Sequence, residues 1–331
     1  ACGAGDGVSF ISGQAKRDAT VQIDESRGQG FSKDGTAGPI SADGSSYTTN
    51  LRYVGLDVLI ACFMGTAGAP TQQAATAAYA NTYAFNTDIY GIFGTLAKSM
   101  VNYIEEIPSA KVAGITIAGE VGAKPLTITV DIIGIDRETG STVNTTATFA
   151  NVTLPTGADG NPVMFSHLAF RMNDNDGDAL DAGDTIYPSK FSLSLKRKLK
   201  GDYTGEFRTD AASPQDLIDE PSNDGLPELT LTLEFPVHSA ATYMDALGAD
   251  TRKKLDITAT GGVIEGAYNF EHKWEFPHLQ LKNVNPTDDT GRIKEPLEFI
   301  IHGASAAPAG MAVTDPLAWS VRNTNTVDPL A

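Results

Sequence analysis

Cysteine is nearly absent from these 331 residues: Cys2 and Cys62 are the only two, and no Cys-x-x-Cys or Cys/His cluster accompanies them. That excludes a disulfide framework and leaves no zinc-type ligand set. Cys62, inside the apolar run "GLDVLIACFMG", reads as a small buried hydrophobe. Long apolar runs are missing as well, the longest falling far short of the roughly 18 residues that a membrane-spanning helix needs. No secretory leader opens the chain, and the expectation is a soluble protein made in the cytoplasm, with no membrane segment. Positive charge is scarce: 24 Lys and Arg stand against 41 Asp and Glu, a formal net charge of −17. A surface this acidic repels phosphates and disfavours sequence-specific binding of nucleic acid.

Catalytic signatures are also lacking. There is no Gly-x-Ser-x-Gly elbow and no Gly-x-x-x-x-Gly-Lys phosphate loop. "GAGDG" at Gly3 lacks both the third glycine and the preceding strand of a dinucleotide fingerprint. His167, His238, His272, His278 and His302 share no ligand spacing, and a strand histidine such as His272 reads as a core-edge or surface residue. Carboxylates abound, yet no two are singled out as a glycosidase pair. The expectation is a protein without catalysis and without a cofactor.

Hydrophobic content of 41% and charged content of 20% are those of a globular chain, long enough for one large or two medium domains. Residues 1–50 are rich in Gly, Ser, Thr and Asp and read as an extended N-terminal arm. "TTNLRYVGLDVLIACFMG" predicts a buried helix near 51–64, capped by Asn50 or a preceding Thr and ended by Gly65. From about Pro108 the pattern turns to period two, the mark of strands with one face on a core. In "LTITVDI", Leu126, Ile128, Val130 and Ile132 share one face, and Thr127, Thr129 and Asp131 the other. "FSLSLK" groups Phe191, Leu193 and Leu195; "LTLTLEF" groups Leu229, Leu231, Leu233 and Phe235; "YNFEHKWEF" groups Tyr268, Phe270, Trp274 and Phe276. Prolines punctuate these strands. A second helix, "SAATYMDALGAD", has Ser239 as cap and Gly248 as terminator. Residues 305–331 read as a C-terminal arm. The fold class expected is mainly β: an antiparallel β-sandwich or barrel over 51–304, with one or two flanking helices and extended terminal arms.

Two charged stretches stand out. "NDNDGDALDAGD" places Asp174 and Asp176 at the third and fifth positions of a calcium-type loop if Gly177 is the sixth, but Met172 and Gly183 then hold the first and twelfth and offer no carboxylate. The stretch reads as a turn, with Asp174, Asp176 and Asp178 as weak metal candidates. "SLKRKLKGDYTGEF" puts Lys196, Arg197, Lys198 and Lys200 in one run. Such a run is either a solvated strand end or a basic patch that meets acids on an identical neighbour, which makes these four candidate inter-subunit contacts.

"DIYGIFGTLAKSMVNYIEEIPSAKVAGITIAG" with "KPLTITVDIIG", then "HLAFRMNDNDGDALDAGD" leading into "YPSKFSLSLKRKL", resembles the tail tube proteins of tailed bacteriophages. "GLDVLIACFMG", "FPHLQLKNVN" and "KEPLEFIIHG" are similar too, and the resemblance spans Leu51 to Ala304. It implies a structural virion protein, built in the host bacterial cytoplasm, six copies of which form a ring whose inner strands close into one barrel. Rings stack into a tube around a tape-measure protein, with the arms ordering on neighbouring rings. An acidic lumen would let viral DNA slide through without sticking. The alternative is a secreted, calcium-supported β-sandwich serving as a binding or surface-layer module.

Overall fold

The computed structural model describes residues 7–23, 30–31, 35–122, 124–156, 161–208, 215–238, 241–289 and 291–331. Cys2, Gly3, Gly5 and the expected cap Ser239 lie outside the described residues. The main sheet is built chiefly from, in chain order, β1 (Ser12–Gln14), β2 (Ser45–Asn50), β3 (Tyr79–Ala84), β4 (Gly94–Ser99), β5 (Ile104–Glu120), β6 (Thr127–Ile133), β7 (Leu168–Asp174), β8 (Lys190–Lys196), β9 (Glu228–Phe235), β10 (Arg252–Glu265), β11 (Tyr268–Val284), β12 (Arg292–His302) and β13 (Ala318–Asn323). Its order is β1-β2-β6-β5-β8-β9-β12-β11-β10-β7, antiparallel at every step. β13 lies between β11 and β3, and β4 pairs with β5.

The expected alternation is what folds this sheet. Ile128, Val130 and Ile132 of β6, Phe191, Leu193 and Leu195 of β8, and Leu229, Leu231 and Leu233 of β9 are all buried. Each such side chain contributes roughly 1.5–3 kcal/mol when fully buried. One core cluster gathers residues from β6 near one end of the sheet order to Phe170 of β7 near the other, so the sheet curls over a single core in a sandwich-like form. Among the described residues the curl is joined by chain segments and isolated bridges, Arg52 to Pro162 and Pro125 to Met164, and not by a closed ring of strands. Val163 donates to the Leu51 carbonyl and Leu126 to the Val163 carbonyl, both at 2.8 Å, before the chain runs on into β7.

The helix α1 spans Asp57–Met64, starting later than the sequence suggests. Thr48, Thr49 and Asn50 extend β2 instead, where the Thr48 hydroxyl lies 2.9 Å from that of Thr129. Residues good at capping a helix also fit a polar strand face, and pairing with β6 decides between the two. Leu56 occupies the N-cap and makes no side-chain cap bond. Gly65 ends the helix as expected, with φ 76° and its N–H 2.8 Å from the Ala61 carbonyl. Cys62 is half-buried against the core, and burial pushes its thiol up to about 11. After a single turn, α2 (Thr146–Phe149), comes α3 (Thr242–Gly248), in which Gly248 is helical and Asp250, at φ 54°, takes the left-handed conformation. Among the described residues no helix is long and apolar enough to cross a membrane.

Three further differences from the sequence reading have physical reasons. β1 and β2 fall in the stretch read as the N-terminal arm and β13 in the C-terminal one, yet all three are strands of the main sheet, β13 burying Trp319 and Val321 in the core. Pro188 and Pro227 do precede strands, but Pro108, Pro277 and Pro296 lie inside β5, β11 and β12. At Pro277 the register slips from Lys253↔Leu279 to Leu255↔Phe276, a bulge in which the missing N–H costs no ladder bond. The third is His272, a core residue and not an edge one. Its ring stacks between Tyr53, centroids 5.6 Å apart, and Trp274, 5.7 Å apart.

Its two nitrogens have fixed roles. The Arg52 carbonyl, which can only accept, lies 2.9 Å from Nε2, and the Trp319 indole, which can only donate, is 3.2 Å from Nδ1. Both bonds require the neutral ring with its proton on Nε2. Burial accordingly pushes the pKa down, to about 4. Because the unfolded chain binds that proton near the ordinary 6.5, stability from this residue is complete above pH 6.5 and is lost as pH falls toward 4. The loss by pH 5 is about 2 kcal/mol. Urea denaturation at pH 7 and pH 5 should show this drop, and His272→Gln should reduce it by about that amount.

Candidate assembly surfaces

β8 continues its alternation past its last residue, and this splits the basic run in two. Lys196, Lys198 and Lys200 are exposed, whereas Arg197 is buried in phase with Phe191, Leu193 and Leu195. Arg197 Nε donates to the Phe63 carbonyl at 2.8 Å, and Nη2 donates to Met64 at 3.2 Å and Asn86 at 2.6 Å. Its guanidinium lies 4.2 Å from the Phe85 ring centroid and 5.2 Å from that of Phe63. The cation therefore closes the C-terminal end of α1, where helix carbonyls lack partners and the helix dipole is negative. Burial lowers its pKa to about 10, which leaves it charged at neutral pH. Arg197 thus faces its own chain, while Lys198 pairs with Glu228 at 2.8 Å and Lys200 with Asp202 at 3.0 Å on the surface.

In the aspartate-rich loop, cationic side chains of β10 already meet the oxygens. Lys253 pairs with Asp174, and the buried Lys254 donates to the carbonyls of Gly177 at 2.7 Å and Ala309 at 3.3 Å. Asp181 accepts from the Gly183 N–H at 2.6 Å and Asp184 from that of Asp181 at 3.0 Å, which is turn chemistry. Asp176 and Asp178 point to solvent. Among the described residues no three His, Cys, Asp or Glu side chains are grouped to hold a metal ion.

A second, smaller sheet carries the surface that the sequence reading did not single out. Its strands run in the order Tyr203–Arg208, Gln215–Ile218, Gly35–Ser41 and Asp18–Ile23. The chain beside Gln215–Ile218 is anchored: Glu220 Oε1 lies 2.5 Å from the buried Lys111 ammonium of β5 and accepts the Gly91 N–H at 2.7 Å. At the other edge Asp18–Ile23 pairs, among the described residues, only with Gly35–Ser41, and all six of its residues are exposed. Val21 is 68% and Ile23 57% exposed, and alternation sets both on one face with Ala19. Phe31 is 75% exposed in the connection between these two strands. An open edge with exposed apolar side chains is a site for pairing with another chain. The signal in the sequence was the short alternation of "DATVQI" in a segment with nothing to bury it.

Residues 7–301 match the family described as phage tail tube protein. Among solved structures, the chain is similar to one titled "Cryo-EM structure of the anti-feeding prophage (AFP) baseplate, 6-fold symmetrised". The likeness is 16% identical, covers 40% of this chain and 86% of that one, and has a TM-score of 0.27. No curated protein matches.

Substitutions in the basic run should separate its two halves. Arg197→Ala takes a donor from three carbonyls, of which Met64 keeps the Asn86 N–H, and opens space beside two rings, at a cost of about 3 kcal/mol in denaturant unfolding. Lys196→Ala, at an exposed position, should leave the denaturation midpoint unchanged.

Proposed function

Because the chain belongs to the phage tail tube protein family, we propose that its copies form hexameric rings that stack into the tail tube, the conduit through which DNA is ejected into the host. It is a structural protein of the virion tail and not an enzyme. The observation that carries the assembly reading is the open strand Asp18–Ile23, at the edge of a sheet held to the body of the protein on its other side and, among the described residues, unpaired along its outer edge. Burying Val21, Ile23 and Phe31 against a neighbouring copy would recover apolar contact that a single chain leaves in water. The partners are other copies of the chain, a tape-measure protein within the tube and further tail proteins, brought together in the host bacterial cytoplasm. Lys196, Lys198 and Lys200, the last two also in exposed pairs with Glu228 and Asp202 of their own chain, face acids of a neighbour, where steering between opposite charges fixes register. DNA passes without sequence-specific binding.

Negative-stain electron microscopy across a concentration series tests this reading. Rings or tubes with six-fold end views are expected; particles that stay single at every concentration, with and without tail initiator proteins, contradict it. Val21→Asp with Ile23→Asp should abolish tubes while changing the unfolding free energy of the single chain by no more than about 0.5 kcal/mol, as befits exposed positions.

A further inference from the structure

On the face of the main sheet turned away from the core, two adjoining rows across β2, β6, β5, β8 and β9 carry no charge. Register places Thr48, Thr129, Thr116, Ser194 and Thr230 in one row across β2, β6, β5, β8 and β9. The next row, from Asn50 to Thr232, reads Asn, Thr, Ala, Ser, Thr. Between them the core-facing row holds the buried Ile128, Ile117, Leu193 and Leu231. Charges of both signs border the two rows: Lys190 lies between Glu120 and Glu234, Asp131 and Lys196 share the next row with Glu228, and on β12 Glu298, paired with Lys282, lies opposite Thr232. None of the large exposed apolar side chains belongs to either row.

This is an unusual surface for a chain of net charge −17. The ladder consumes the backbone donors and acceptors, so short hydroxyls are nearly all that the face shows to solvent. Such a face is wet and lacks the apolar centre of an interface. The two rows also lack the Lys and Arg that would hold phosphates by releasing counterions, and the Asp and Glu that would repel them. Hydroxyls bond phosphates and water alike, and those bonds exchange without fixing sequence or position.

We propose that this hydroxylated face lines the conduit, so that DNA in transit meets a neutral wet wall and not the acidic one that the net charge suggests. The inference rests on the tail tube reading, and its test keeps the two apart. In a chain carrying Cys2→Ser and Cys62→Ala, Ser194→Cys and, separately, Thr230→Cys supply single thiols on the face. The unassembled chain should react at similar rates with a small maleimide and with one carried on a large polyethylene glycol. In assembled tubes the small reagent should still label, and the bulky one should slow at least about tenfold. Tubes labelled by the bulky reagent at the unassembled rate would put the face on the exterior and overturn the proposal. Tubes that resist both reagents would put it in a contact between copies, which overturns it equally. Absence of tubes from the unsubstituted chain would instead remove the reading beneath it.

Discussion

The guanidinium of Arg197 is buried against the end of a helix and, among the described residues, makes no ion pair; its partners are three backbone carbonyls and two aromatic faces. That contact ties α1 to β8, the strand midway along the sheet order, and the opposite end of the helix is tied in the same manner. The buried carboxylate of Asp57, in the first turn of α1, accepts the Tyr83 hydroxyl at 3.1 Å and the Asn323 amide at 3.2 and 3.1 Å. Tyr83 belongs to β3 and Asn323 to β13. Burial raises the Asp57 pKa, and the two donors offset part of that cost. One short helix is thus closed at both ends by strands from distant parts of the chain, and β13, which carries the partner of His272, is held where the core needs it.

This arrangement divides the surface by chemistry. The polar groups that could have bound partners, Arg197 and Lys254 among them, are turned inward and spent on carbonyls. What is left outside includes an open apolar strand edge, acidic margins with scattered lysines, and a hydroxylated sheet face. An assembling conduit needs each of these, namely edges that find neighbours, charges that set register and a wall that holds nothing.

Much of the sheet was legible in the sequence because alternation is a local signal. The phases of β6, β8 and β9 could be read directly, and the hydroxyl rows are the other half of the same pattern. The run "KRKLK" also obeys the phase, with Arg197 two residues beyond Leu195, but a cluster of like charges hides an inward cation unless the strand is followed through it. His272 was likewise in phase with Phe270 and Trp274. What local pattern does not carry is pairing at a distance. β2 and β13 look like parts of arms until β6 and β11 are beside them, and the late start of α1 follows from β2 taking the residues that would have capped it.

The most direct test of this account is cryo-electron microscopy of assembled tubes at a resolution that traces the backbone. The account predicts that Asp18–Ile23 adds to the sheet of an adjacent copy and that Thr129, Ser194 and Thr230 face the lumen. A tube in which that strand remains solvated, or in which the hydroxyl rows lie outside the channel, would contradict it.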